Sequence, residues 1–243
     1  MKKLQLIYLV PALLAFTFLA CEKDYEDLYT VTNYADFEMA GDPVVFNPFG
    51  TPYTDAGATA TEAGEPLTVT TTVSGDFFGA SVFDPNATDR YVYTYQATNS
   101  DGYEATVIRE VYNVNTGNLI DNLEGLYTST VVRDALTGPQ YTDMEYVIIG
   151  KSGDQYLLSD ALGGWYELGR ALGPGYRAPR ATFTANNIAA NDFTFGPGVT
   201  VGGFGGTATL ESMTVNPATK TIVFTCFWTL DYTFTVTLTQ VEP

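Results

Sequence analysis

The chain has 243 residues, 45% hydrophobic and 14% aromatic, with 11 Lys and Arg against 28 Asp and Glu and a net charge of −17. Such a balance repels nucleic acid, which is excluded as a partner. No histidine occurs and only two cysteines do, which removes Ser-His-Asp and Cys-His catalysis, the usual zinc sites and any disulfide framework.

Met1-Lys2-Lys3 is a short basic start, followed by an apolar run from Leu4 to Ala20 broken by Gln5, Pro11 and Thr17. The run falls short of the roughly 20 residues of a membrane span and has the anatomy of a secretory signal peptide. Phe18-Leu19-Ala20-Cys21 then resembles the bacterial lipobox, with Phe where Leu is usual. The resemblance implies cleavage after residues 1–20 and acylation of Cys21; a chance cysteine behind an ordinary signal peptide is the alternative. Two or three acyl chains anchor firmly, because each buried methylene contributes about 0.8 kcal/mol. Residues 21–31 are expected as an acidic tether. Their Glu22-Lys23-Asp24-Tyr25-Glu26-Asp27 resembles the export signal that sends lipoproteins of Bacteroides-type bacteria to the outer face of the outer membrane. The implied location is the outer membrane, lipid-anchored and facing the exterior.

Beyond the tether, alternation replaces helical periodicity, and an all-β chain is expected. In residues 32–112 short strands are separated by Gly-Asp-Pro, Asn-Pro, Asp-Ala-Gly and Gly-Glu-Pro turns, a spacing that suggests a β-sandwich. The clearest hairpin places Tyr91, Tyr93, Tyr95 and Ala97 on one face, turns at Asn99-Ser100-Asp101-Gly102 and returns through Tyr103, Ala105 and Val107, with Gly102 free to take positive φ. The segments Tyr53–Gly57 and Tyr93–Gly102 resemble bacterial immunoglobulin-like surface domains, which serve as spacers or docking surfaces.

Residues 113–122 are polar and turn-rich and are expected as a linker. Residues 123–243 form a second antiparallel domain, either a barrel or a sandwich. Tyr232, Phe234, Val236 and Leu238 alternate there with Thr233, Thr235, Thr237 and Thr239, so one face packs and the other meets water. Cys226, within an apolar strand, reads as a core residue rather than a nucleophile.

The lipobox, the immunoglobulin-like domain and the segments "LEGLYTSTVVRD" and "LLSDALGGWYELGRALGPGY" together resemble the small lipoproteins encoded beside SusC/SusD-type outer-membrane importers of Bacteroides-type bacteria. That resemblance implies a non-enzymatic surface accessory of a SusC/SusD-type transporter complex, binding or handing over an oligosaccharide or oligopeptide. A purely structural importer subunit and a cell-surface adhesin are the alternatives.

Ligand contact is expected in residues 160–180, where Trp165, Tyr166, Arg170, Tyr176, Arg177 and Arg180 interleave with glycines. Aromatic faces stack on sugar rings or apolar side chains, and arginine clamps a carboxylate. The competing reading is that Trp165 and Tyr166 cap the core while the arginines neutralise Asp160 and Glu167. No catalytic residue, cofactor or metal is expected. "FGPGVTVGGFGGTATL" lacks the ending of a phosphate loop, and Asp84, Asn86 and Asp89 read as a plain turn rather than a calcium loop.

Overall fold

The computed structural model of the chain describes residues 31–134 and 138–242. The signal peptide, Cys21 and the acidic run at 22–27 lie outside the described residues.

The N-terminal half is an immunoglobulin-like sandwich of two sheets. One contains β1 (Asp36–Met39), β3 (Ala58–Glu62) and β4 (Glu65–Leu67) in the order β1-β3-β4. The other contains β2 (Val44–Asn47), β5 (Thr70–Gly75), β6 (Asp89–Thr98) and β7 (Glu104–Asn113) in the order β2-β7-β6-β5, with β2 parallel to β7. Alternation sets the inner face as expected. Tyr91, Tyr93, Tyr95 and Ala97 are buried, and the three tyrosines pack with Val111 against Phe37, Met39 and Val45. The β6–β7 turn closes where Gly102 takes φ +87° and donates its N–H to the Asn99 carbonyl at 3.0 Å.

Arg109, like Asp89 and Asn113, breaks the apolar pattern of the inward positions. Arg109 on β7 is 1% exposed, and a charge so buried needs partners. It finds them in the Asp55 carboxylate, the Ala40 carbonyl, the Tyr95 hydroxyl at 2.7 Å and the Asp42 carbonyl at 3.0 Å. This pins the chain's entry loops to the sandwich core.

The C-terminal half is one nine-stranded antiparallel sheet. Its strands are β8 (Gly125–Arg133), β9 (Tyr141–Ser152), β10 (Gln155–Leu158), β11 (Ala181–Asn187), β12 (Asp192–Phe195), β13 (Val199–Thr200), β14 (Thr207–Asn216), β15 (Thr221–Trp228) and β16 (Tyr232–Val241). The order is β12-β11-β10-β9-β8-β16-β15-β14-β13, so the last long strand lies beside the first. Twist, a register shift between Leu210 and Ser212 on β14 and two shifts of β9 on either side of Ser129 curl the sheet into a half-barrel. The curl brings the β11–β12 turn to β14, where Asn191 Oδ1 accepts the Val215 N–H at 2.7 Å. Sandwich and barrel were both open from the sequence; a curled, open sheet is the outcome.

The expected linker, residues 113–122, packs against both halves: Val114 is buried with Leu126 and Ile148. Leu119 and Leu123 are fully buried, and Glu124 accepts hydrogen bonds from Thr88 at 3.0 Å and Asn115 at 2.8 Å. Leu126 and Ile148 of the curled sheet share a core with Phe77, Tyr112 and Val114. The two halves therefore belong to one unit, Ala35–Pro243.

Candidate functional site

Between β10 and β11 the chain makes the long excursion that contains every ligand-contact residue expected from the sequence. A buried carboxylate organises its start. Asp160 Oδ1 accepts the N–H of Leu162 at 2.9 Å and of Ala178 at 3.1 Å, while Oδ2 accepts that of Gly164 at 3.0 Å. Burial pushes its pKa up to about 6, against the pull of those three amides. Next comes Gly163 at φ +62°, where a Cβ would stand 2.5 Å from Val236. Only glycine permits both that backbone and that approach.

Gly163 and Gly164 thus drop the chain onto the sheet, and a single π-turn follows at Trp165–Gly169. The turn carries Trp165 and Tyr166 inward rather than outward. Trp165 is 4% exposed and meets Tyr141 at 4.7 Å and Phe234 at 5.5 Å between ring centroids. Tyr166, also 4% exposed, meets Phe204 at 4.7 Å and Trp228 at 5.5 Å. The expectation that these rings meet a ligand is corrected by their burial: they close the open end of the half-barrel. Tyr176 is half-buried against Phe204. Gly202 and Gly203 of the second glycine-rich run let that run lie against Gly175 and Tyr176, where Cβ atoms would stand 2.4 and 2.5 Å away.

Arg177 is also turned inward. Its Nε donates to Glu167 Oε2 at 2.5 Å, and one terminal nitrogen reaches both Glu167 Oε1 and Asp76 Oδ2 at 2.7 Å. Asp76 belongs to the sandwich and also pairs with Arg90. Phe77 lies under both guanidinium groups, with their carbons 4.5 and 4.8 Å from its ring centroid. Burial by itself would raise the pKa of Asp76, but the hydrogen bond from Arg177 and the charge of Arg90 hold it below its ordinary value. The Arg177 side chain, expected to face ligand, therefore locks the two halves together.

Arg170 and Arg180 remain exposed. Arg170 stands 6.0 Å over the Tyr166 ring. Arg180 stands apart from it, in an open cleft of about 360 Å³ between the halves, together with Lys151 and Ser152 of β9, Leu157 of β10 and the 78–80 loop. The structure thus separates the expected cluster into core (Trp165, Tyr166), interdomain lock (Arg177) and two exposed cations on different surfaces. Sequence reading missed Phe78 and Leu157, which only the packing of the sandwich on the curled sheet brings to the same cleft as Arg180.

Among the other residues singled out, Asp84 Oδ1 caps the Asn86 N–H at 2.9 Å in a local turn. Asp89 is 1% exposed, accepting the N–H of Phe77, Phe78 and Arg90, and burial pushes its pKa up to about 6. Cys226 is fully buried, and burial pushes its thiol up to about 12.

A profile for a bacterial surface protein Ig-like domain matches residues 37–112. A second profile, described as a C-terminal domain, matches residues 116–240. The crystal structure of the lipoprotein BT2262 from Bacteroides thetaiotaomicron resembles this chain at 26% identity and a TM-score of 0.61, over 85% of this chain and 100% of that one. No curated protein matches.

Proposed function

Because the chain belongs to the family whose C-terminal domain spans residues 116–240, we propose that it is a non-enzymatic lipoprotein, anchored through Cys21 at the outer membrane and facing the cell exterior. There it serves as an accessory subunit of a SusC/SusD-type importer and binds or hands over oligomeric nutrient, either glycan or peptide. The observation that carries this reading is a bacterial surface Ig-like domain locked to a second β domain, behind a lipobox-like Cys21. The likeness to a Bacteroides lipoprotein supports the anchor. Asp76 and Glu167, the carboxylates nearest the junction, are consumed by arginines, and Asp89 and Asp160 by backbone amides.

Affinity capture of the acylated protein from detergent-solubilised outer membrane tests the reading. Importer subunits should co-purify, and Cys21→Ser should abolish both membrane retention and that capture. A Cys21→Ser protein that stays in the membrane would remove the anchor. Wild-type protein recovered without any transporter would favour a free-standing adhesin.

A further inference from the structure

The strongest unassigned feature is the cleft around Arg180. Arg90, Arg109, Arg133, Arg177 and Lys220 each have a carboxylate partner within salt-bridge distance. Among the described residues Lys151, Arg170 and Arg180 are the cations without one. In a chain of net charge −17 carboxylate partners are plentiful, yet Arg180, which lines the cleft, has none.

Arg180 is held in place for the task. Its backbone sits at φ +64°, in the left-handed region that non-glycine residues rarely enter and that recurs at functional sites. Its N–H donates to the Leu158 carbonyl and its Nε to the Phe77 carbonyl, both at 3.0 Å. The guanidinium lies against Gly79, where a Cβ would fall 2.4 Å from a terminal nitrogen. Both terminal nitrogens keep their donors for a ligand, since neither has an acceptor among the described residues. Lys151 of β9 is exposed but pairs with Tyr156 and leans over that ring at 5.2 Å, on the face of the sheet away from Phe78 and Leu157.

The floor is of a different character. Phe78 and Leu157 offer half-buried apolar faces, and Ser152 places a hydroxyl on the rim. The one acid that lines the cleft, Asp89, turns its oxygens to three backbone amides. A cleft of about 360 Å³ lies at the small end of ligand sites, roughly 300–1,000 Å³. An apolar floor, a hydroxyl rim and a fork of cationic donors match a pyranose ring with an apolar C–H face, hydroxyls and a carboxylate.

We propose that this cleft binds a uronic-acid residue of an oligosaccharide, with the Arg180 guanidinium binding its carboxylate and Phe78 supporting its ring. The assignment rests on the cargo-binding reading above and gives that cargo its class: acidic glycan rather than neutral glycan or peptide.

Calorimetric titration of the full lipoprotein in detergent, with a galacturonic acid trimer as probe, tests it. The trimer should bind, its methyl ester should bind at least tenfold more weakly, and raising the salt should weaken the acid form. Arg180→Asn, chosen because Asn tolerates the left-handed backbone, should cost tenfold or more, and Lys151→Ala and Arg170→Ala nothing. Absence of trimer binding, equal binding of the ester, or an equal loss in Arg170→Ala would overturn the proposal. So would a tri-glutamate peptide that binds as tightly as the trimer. Importer capture with the wild-type protein separates the two readings: capture without trimer binding defeats only the cleft, and trimer binding without capture defeats only the importer role.

Discussion

Replacing Trp165 by alanine removes the largest side chain of the π-turn from the mouth of the half-barrel. At 4% exposure the ring's transfer from water is nearly complete, and truncating a buried Trp costs about 3–5 kcal/mol, including the cavity left behind. Two features of the site pull in opposite directions. The edge-on contacts with Tyr141 and Phe234 add roughly 0.5–1.5 kcal/mol each beyond area. Against them, Trp165 Nε1 is buried with no hydrogen-bond partner among the described residues, and deleting an unsatisfied donor recovers about 1–3 kcal/mol. The two adjustments roughly cancel, so the expected net loss is about 4 kcal/mol. At roughly 2–4 °C per kcal/mol for a protein of this size, the melting temperature should fall by about 8–16 °C. Trp165→Phe keeps a ring, removes the orphan donor and should stay within about 1.5 kcal/mol of the parent. Urea denaturation followed by far-UV circular dichroism reads both variants, with ligand titrations corrected for the folded fraction. A Trp165→Ala protein of unchanged stability that binds galacturonic acid trimer less well would refute the core assignment and return the ring to the binding surface.

Gly163→Ala should destabilise by more than about 2 kcal/mol, because the added methyl meets Val236 at 2.5 Å on a backbone at φ +62°; a denaturation midpoint equal to wild type would contradict the close approach. Asp160 gives a pH signature. Its folded pKa of about 6 stands above the ordinary 3.8, so the folded state holds the proton more tightly than the unfolded state. Its contribution to stability is then fully present below about pH 4 and is lost as pH rises through 6. Asp160→Asn should lower stability throughout, since an amide cannot accept from Leu162, Ala178 and Gly164 together, and should flatten the decline between pH 4 and 6. An unchanged slope in urea melts across that range would show that Asp160 titrates normally.

Several features were legible without coordinates. Strict alternation at Tyr91–Ala97 and at Tyr232–Thr239 dictated strands with one dry face, because the side-chain period of two is local geometry. Turn chemistry at Asn99–Gly102 fixed a hairpin for the same reason. Absence of histidine and the scarcity of basic residues bounded the chemistry whatever the fold.

The tertiary structure decided the rest, and it did so where the outcome depends on residues far apart in the chain. Arg109 sits on an inward face that alternation alone marks as apolar; its partner Asp55 lies in a loop 54 residues away. Trp165 and Arg177 have the composition of a binding loop, but Gly163's approach to Val236 turns the rings inward, and Asp76, 101 residues away, captures the arginine. Local composition cannot distinguish a donor held for a ligand from one spent on a distant carboxylate. Arg177 and Arg180, three positions apart, divide on that point: the first reaches an acid across the junction, and the second, turned by its left-handed backbone toward Gly79, does not.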